Sequence, residues 1–262
     1  METYISEVWR SRFFWLSLVK MDLQLRYRRS MLGIGWSLLH PLASAVVLCV
    51  AFHEFLDLDV PVRVYVPFLM VGLTWWGYVS GVTIQGCQCF VDAESYIRQH
   101  SIPMAVYPLR NTLGNMIHFL IGLTVVLIMV WYFRGLGNLP ALLTLPLSLT
   151  LLLLFGWAVS VLAGYVNTAF RDVQHLFNIG FQLLFYLTPI IYPPGSLAQT
   201  RLGRLVEYNP LVPFLAIVRE PVLEGRLPSL GTFMTATSAT LVVTAAAVVV
   251  LQRLQKRIIL YL

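Results

Sequence analysis

Few residues in this sequence have the types and spacings that catalysis requires. Lys20 and Lys256 are the only lysines, and neither lies in a glycine-rich context. A phosphate-binding loop needs the pattern G-x-x-x-x-G-K-[ST], in which backbone amides hold the phosphates and the lysine reaches them. We therefore expect a protein that is not an enzyme and does not hydrolyse ATP by this machinery. Energy for an active process has to come from another subunit.

The histidines and cysteines form no metal-binding pattern. The five histidines are scattered without an HExxH or comparable spacing, which favours core or interfacial positions over metal ligation. Cys49, Cys87 and Cys89 lie inside apolar segments, and the side chains of the C-x-C pair point apart on a helix. We interpret the cysteines as packing residues and expect no cofactor bound by this chain.

Acidic residues are nearly absent from the apolar segments. Those that lie near segment ends are Glu54, Asp57, Asp59, Asp92, Glu94 and Asp172. Burying a charge in hydrocarbon is costly, and a carboxylate inside a membrane segment usually marks an ion or proton pathway. The interfacial positions of these acids argue against a proton-driven carrier.

The aromatic residues indicate a different kind of pathway. They are concentrated on two apolar segments, at Trp75, Trp76, Tyr78, Phe181, Phe185, Tyr186 and Tyr192. Aromatic rings can stack against the C–H faces of sugars without holding one sugar tightly, so this set is a candidate lining for a sugar pathway. The alternative, which stays open for each single ring, is an aromatic belt at headgroup level together with ordinary helix packing.

The elements that must position these residues are membrane helices. Of the 262 residues, 58% are hydrophobic and 11% are charged, whereas soluble domains have about 25% charged residues. A helix of roughly 20 apolar residues crosses the hydrocarbon core and satisfies its own backbone hydrogen bonds there. Six stretches fit, at residues 32–55, 64–90, 104–133, 139–170, 176–192 and 230–251. The sequence therefore predicts an all-α integral membrane protein with six transmembrane helices in one membrane domain.

The distribution of Lys and Arg predicts the orientation of these spans. The basic residues on one side are Arg10, Arg12, Lys20, Arg26, Arg28, Arg29, Arg98, Arg110, Arg171, Arg253, Lys256 and Arg257. The opposite short loops contain Arg63 and Arg134. Positive residues are retained in the cytoplasm, so both termini are predicted to be cytoplasmic. The net charge of +6 is explained by this clustering beside apolar segments, and no nucleic acid partner is expected.

Residues 1–30 precede the six-span bundle of residues 31–262. Within residues 4–25, apolar side chains that include Trp9 recur at steps of three and four residues, while most charged and polar residues, several of them basic, fall elsewhere. This pattern predicts a single amphipathic helix that lies in the cytoplasmic headgroup plane.

Two connecting segments are expected to form short helices. Residues 92–101 begin with acids and end before Pro103, which is typical of a short cytoplasmic helix, although a plain solvated connector stays open. Residues 193–229 form the largest outer loop, and its run LVPFLAIV is too short to span and suits an interfacial or re-entrant helix. The fifth span should be broken by the residues Pro189, Pro193, Pro194 and Gly195. Because no internal repeat is found, a symmetric pathway would require two copies of the chain.

Four stretches of sequence resemble one known family. They are RYRRSMLGIGWSLLHPL at residues 26–42, the second span with the loop that ends in DAESYIRQHSIP, FRDVQHLFNIGFQLLFYLTPIIYP at the fourth-to-fifth junction, and YNPLVPFLAIVREPVLEG. Each is a loose motif, but their order and spacing together are specific. The chain resembles the membrane subunits of type-2 ATP-binding-cassette exporters, especially those that move polysaccharides, lipid-linked O-antigen, teichoic acid or capsule across the bacterial inner membrane.

The resemblance implies a set of partners. Two copies of the chain would pair with two nucleotide-binding ATPase subunits, which hold the ATP and Mg, and the polymer would pass between the two copies. Residues 92–101 would be a coupling helix that docks in a cleft of the ATPase. Gate helices would lie between spans five and six, and the gate residues are predicted to be Pro189, Pro193, Pro194 and Gly195. The residues that would contact the ATPase are Trp9, Arg12, Asp92, Glu94, Tyr96 and Arg98. Arg26, Arg28 and Arg29 have the charge that suits the pyrophosphate of a lipid-linked glycan, although topology and headgroup binding explain them as well.

Two other functions remain open. A drug or small-lipid exporter of the same superfamily would share the fold, but fewer aromatic residues would face its pathway. A membrane glycosyl- or phosphotransferase should show a paired-Asp or His-Asp constellation in a cytoplasmic loop. The loops here contain only Asp92, Glu94 and Asp172, which are too few for metal-assisted phosphoryl chemistry.

Overall fold

The computed structural model describes residues 2–56, 61–99, 102–135, 139–193 and 201–261. Within these ranges the protein is built from helices joined by turns, and no strand is present. The helices are α1 (Glu2–Arg10), α2 (Arg12–Arg26), α3 (Trp36–Leu56), α4 (Val62–Ile84), α5 (Glu94–Gln99), α6 (Val106–Arg134), α7 (Leu139–Leu142), α8 (Leu145–Ala169), α9 (Val173–Leu187), α10 (Arg201–Glu207), α11 (Leu211–Arg219) and α12 (Leu230–Tyr261).

Four segments are long and apolar enough to cross a membrane, and they are Gly33–Ala51, Val106–Phe133, Pro140–Ala169 and Leu230–Arg253. They correspond to the first, third, fourth and sixth predicted spans. The two other predicted spans are α4, with 23 residues, and α9, with 15 residues. Helix α9 is too short to count as a span by length, and α4 is not among the four segments. The all-helical fold is confirmed, while the count of six spans stays a prediction.

The N-terminal region is divided into two helices, so the single helix predicted over residues 4–25 is wrong in that respect. The division falls at Ser11, whose hydroxyl donates to the carbonyl oxygens of Glu7 at 2.9 Å and Val8 at 3.0 Å. Serine side chains that bond to the preceding turn bend or interrupt a helix. The indole N–H of Trp15 donates to the Val8 carbonyl at 3.1 Å and holds the two helices together.

Proline sets a helix boundary in two of the predicted spans. The fifth was expected to continue to Tyr192, but α9 ends at Leu187 because Thr188, the residue before Pro189, adopts an extended conformation with φ −104° and ψ 134°. A residue that precedes proline is pushed out of the α-helical region. In the fourth predicted span, the chain turns between α7 and α8. Pro146 lies in the first turn of α8, where proline is tolerated.

Helix α4 lies at the centre of the bundle and packs against α3, α6, α8 and α9. Helix α8 packs against α12 and against the turn that follows α4. Small residues permit this second contact, because a Cβ atom at Gly164 of α8 would lie 2.8 Å from the carbonyl oxygen of Gly86. The short turn that leads to α5 is thereby held close to the membrane bundle.

Both ends of the chain lie at the end of the bundle that carries α5, called here the α5 end. The Ala105 backbone N–H donates to the hydroxyl of Tyr4 at 3.2 Å, which places α1 beside the start of α6. Ile258 near the end of α12 is buried in the same apolar cluster as Ile97 of α5. Helix α11 lies towards the opposite end, called here the α11 end, and packs against the N-terminal halves of α4 and α8.

Candidate functional site

A cavity of about 880 Å³, called here the central cavity, lies between α3, α4, α6 and α9. Towards the α5 end it continues into a second cavity of about 370 Å³, and the two share Arg26, Gln85, Asn115 and His118 in their walls. We call this shared part the polar mouth. The wall nearer the α11 end is formed largely by rings and apolar side chains, so the lining changes from charged and amide groups to aromatic groups along the bundle.

Three of the predicted pathway residues form one aromatic cluster. The ring of Trp76 lies 5.4 Å from that of Phe181 and 5.6 Å from that of Phe185, measured between centroids, with interplanar angles of 58° and 66°. Trp76 and Phe185 line the central cavity, and Phe181 packs behind them. These tilted and edge-on contacts hold the rings in fixed orientations.

The four other predicted pathway residues differ in exposure, although the Trp75 ring lies 6.2 Å from that of Trp76 and the Tyr186 ring lies 5.4 Å from that of Phe185. Trp75 is fully buried, with 0% of its surface exposed, and packs in the bundle core away from the cavity. Tyr78 borders the cavity but is 2% exposed, and its hydroxyl donates to the Leu152 carbonyl at 2.7 Å. Tyr186 is 65% exposed on the outside of α9, and the hydroxyl of Tyr192 donates to its carbonyl at 3.0 Å. The seven aromatic residues therefore do not share one surface.

Of the three predicted headgroup arginines, Arg26 is the one that lines the cavities. Its guanidinium donates to the side-chain oxygen of Gln85 at 2.8 Å. Arg28 and Arg29 are exposed in the turn after α2, where Arg29 has φ 64°, and neither borders the central cavity in the part of the chain that is described. The turn thus separates one cavity-facing arginine from two that face outward.

The polar mouth contains residues that the sequence reasoning did not select. The amide of Asn115 donates to the side-chain oxygen of Gln85 at 3.2 Å and to the Asn111 carbonyl at 3.0 Å. Asn111, Asn115 and His118 recur at steps of four and three residues in an otherwise apolar stretch, a spacing that puts them on one face of a helix. This spacing is the feature of the sequence from which the polar face of α6 could have been predicted.

Helix α5 forms the predicted short helix at the α5 end, and His100 and Ser101 of the predicted segment lie outside the described residues. Its exposed face carries an ion pair in which Arg98 Nε lies 2.8 Å from Glu94 Oε1. Ile97 on the other face is buried among apolar side chains. The ring of Tyr96 meets Phe14 of α2 edge-on, with centroids 6.2 Å apart. Helix α5 is therefore joined to the bundle by one face and to the N-terminal helices by Tyr96.

Other predicted contact residues surround this face. Trp9 and Phe13 are exposed, and the guanidinium of Arg12 lies 4.6 Å from the Phe13 ring centroid and 5.5 Å from that of Trp9. Partial burial raises the pKa of Asp92, while the positive charge of nearby Arg110 opposes the shift. Arg110 also forms a bidentate ion pair with Asp22, in which two guanidinium N–H groups donate to the two carboxylate oxygens. This pair connects α2 to α6.

At the α11 end, the end of α9 is held by a buried arginine that sequence reasoning missed. Arg219 is 3% exposed, its guanidinium donates to the carbonyl oxygens of Pro189 and, at 3.3 Å, Ile190, and it lies 4.0 Å from the centroid of the Phe68 ring. Among the predicted gate residues, Pro189 and Pro193 are described, and Pro194 and Gly195 lie outside the described residues.

Metal-binding groups are not assembled in the described ranges, where no three His, Cys, Asp or Glu side chains come close enough to hold an ion. Cys49, Cys87 and Cys89 are buried free thiols. The groups that line the two cavities are the guanidiniums of Arg26 and Arg110, the carboxylates of Asp22 and Asp92, and amide, imidazole, hydroxyl and aromatic groups.

Comparison with known proteins decides the family. Residues 14–223 match the family described as ABC-2 type transporter, a range that includes the central cavity, α5 and α11. The chain belongs to the ABC-2 type transporter family. This confirms the resemblance drawn from the four motifs, and the family's proteins are transport permeases rather than enzymes.

Relatives of this ABC-2 transporter include named permeases. The O-antigen export system permease protein RfbA of Klebsiella pneumoniae is 27% identical over 210 residues, which are 80% of each chain. The protein of the same name from Myxococcus xanthus is 25% identical over 246 residues, or 93% of each chain. The polysialic acid transport protein KpsM of Escherichia coli is 22% identical over 210 residues, which are 80% of this chain and 81% of KpsM.

Proposed function

We propose that this protein is the membrane subunit of an ATP-driven exporter that moves a lipid-linked polysaccharide across the bacterial inner membrane. The observation that carries the proposal is the central cavity, in which a polar mouth with one arginine leads to the cluster of Trp76, Phe181 and Phe185. A charged lipid headgroup requires the first kind of lining and a sugar chain suits the second. The names of the relatives support this cargo.

The direction of transport follows from the proposed topology. In the proposal α4 and α9 also span the membrane, both termini are cytoplasmic, and the α5 end faces the cytoplasm. The location of both chain ends beside α5 and the excess of basic residues there support this orientation. The glycan lipid would then enter at the polar mouth and move towards the short helices α10 and α11.

The complete exporter would contain two copies of this chain and two ATPase subunits. Helix α9 exposes Leu176, Ile179, Leu183 and Tyr186 at steps of three and four residues, which supports a seam that a second copy covers. The partner subunits would hold the ATP and Mg. ATP binding can move the permease only through contacts that differ between its two states. We assign those contacts to α5 and to α2, which the Tyr96–Phe14 contact joins.

The cargo is tested by deleting the gene and restoring it on a plasmid. Without the permease we expect the glycan to stay in the cell, so that surface labelling with a lectin or antibody is lost while the glycan content of the lysate persists. Restoration of the gene should return the surface label. Undiminished surface glycan in the deletion strain, together with reduced efflux of a drug or a short-chain lipid, would instead establish the small-molecule exporter.

The coupling role of α5 is tested by replacing Glu94 and Tyr96 together with alanine. The double variant removes one half of the Glu94–Arg98 ion pair and the ring that contacts α2. An aromatic contact of this kind contributes about 1 kcal/mol, so the variant should still insert and still bind the ATPase. We expect ATP hydrolysis in proteoliposomes to persist while glycan export falls roughly tenfold.

The matched control replaces Glu207 and Tyr208, which are the same residue types exposed at the α11 end. This second double variant should keep the wild-type ratio of ATP hydrolysed to glycan exported. Unchanged export in the Glu94 and Tyr96 variant would remove α5 from the coupling pathway.

A further inference from the structure

Three side chains at the polar mouth contact one another. The hydroxyl oxygens of Tyr27 and Ser37 lie 2.6 Å apart, Ser37 Oγ lies 2.8 Å from Nδ1 of His118, and the Tyr27 hydroxyl lies 3.2 Å from the same nitrogen. The rings of Tyr27 and His118 also meet edge-on, with centroids 5.7 Å apart. These residues come from the turn after α2, from α3 and from α6, so the contacts hold the end of α2, which carries Arg26, against α6.

One arrangement of these hydrogen bonds uses both hydroxyl protons and fixes the tautomer of His118. Two hydroxyl protons are available, and both are used if Tyr27 donates to Ser37 and Ser37 donates to Nδ1. Nδ1 is then an acceptor, and Nε2 carries the imidazole proton, because the bond made by one ring nitrogen sets the state of the other. Nε2 makes no hydrogen bond to any residue that the structure describes, so its N–H is available to a ligand.

The surroundings of His118 favour an anion. His118 borders both cavities together with Arg26, and the Arg26 guanidinium lies against Gln85 rather than against a carboxylate. The described lining of the central cavity contains no Asp or Glu. Asp22 and Asp92 border the second cavity, where Asp22 is paired with Arg110 and the positive charge of Arg110 also acts on Asp92. The polar mouth therefore offers one positive charge and an N–H donor with no neighbouring negative charge in the central cavity.

We propose that His118 and Arg26 form a subsite for a phosphate-ester oxyanion, with Tyr27 and Ser37 as positioning residues that hold the imidazole. The inference rests on the proposed function, because it assigns the charged group of the transported lipid to these two side chains. Arg26 supplies the charge, and Nε2 of His118 supplies a directed hydrogen bond. The aromatic cluster then begins beyond this subsite, where the first sugars would lie.

The test measures binding to the full-length permease in lipid nanodiscs. The probe is farnesyl diphosphate, with farnesol as the phosphate-free arm and inorganic phosphate as a competitor. His118→Leu should weaken binding of farnesyl diphosphate about tenfold, since a hydrogen bond to a charged group is lost, and should leave farnesol binding unchanged. His118→Gln places an amide N–H near the position of Nε2 and should restore most of the affinity. Ser37→Ala should give an intermediate loss.

The three ligands and the variants distinguish the possible results of the binding test. Competition by inorganic phosphate in the wild type but not in His118→Leu supports the oxyanion subsite with or without a lipid. Wild-type affinity of His118→Leu for farnesyl diphosphate overturns the subsite, and equal losses for farnesol and farnesyl diphosphate do so as well, because they indicate a general distortion. Melting curves identify misfolded variants. Surface labelling in the deletion strain is independent of these results, so the subsite and the proposed export function fail separately.

Discussion

Trp75→Ala is expected to lower the free energy of unfolding by about 3–5 kcal/mol, the range for removal of a large buried ring. The indole is fully buried at the centre of the bundle, where α4 packs against α6 and α8. Alanine would leave a void that the surrounding helices cannot close. The measurement is the amount of permease in purified membranes, together with the melting temperature in detergent, and both should fall well below the wild-type values.

The neighbouring substitution Trp76→Ala is the matched control for this effect. Trp76 borders the central cavity, so its removal enlarges an existing space and leaves the core intact. We expect near-normal abundance and a glycan export rate reduced several-fold, because the ring is lost from the aromatic cluster. Equal losses of abundance in the two variants would show that Trp76 is a packing residue and would remove it from the pathway.

This pair of residues also shows where sequence reasoning stops. The sequence analysis assigned both tryptophans to the pathway, because adjacent residues of the same type on the same span cannot be told apart by residue type or by position along the span. Successive residues on a helix point about 100° apart, and the direction that faces a cavity depends on which helices pack on either side. Those neighbours are set by contacts between distant parts of the chain, which hydropathy does not report.

The breaks in the helices could be foreseen more readily than the contacts. The prolines that end α9 and start α8 are visible in the sequence, and local rules for proline explain both. The polar mouth, by contrast, brings Arg26 to Gln85 across 59 positions and Ser37 to His118 across 81. The hydrophobic pattern placed each of these residues near a span, but the pattern carries no information about which spans are adjacent.

The buried arginine at the α11 end is the second site with a large expected effect. Burial of the Arg219 charge is unfavourable by itself, but two carbonyl oxygens at the end of α9 and the face of the Phe68 ring compensate for it. Arg219→Ala removes both hydrogen bonds and leaves a void between α4, α9 and α11. Bonds from a charged donor contribute about 1.5–3 kcal/mol each, so we expect a net loss of about 3 kcal/mol of stability after the desolvation cost of the charge is recovered.

The control for Arg219 is another arginine in the same region. Arg226 is largely exposed and pairs with Glu224 at 2.6 Å, and exposed pairs contribute about 0–1 kcal/mol, so Arg226→Ala should change the melting temperature little. Arg219→Lys keeps the charge but lacks the planar fork that reaches two carbonyls, and it should lie between the wild type and Arg219→Ala. If Arg219→Ala has the same melting temperature as the wild type, the guanidinium is not required to keep α9 and α11 together. The end of α9 would then be held by the packing of Pro189 and Ile190 alone.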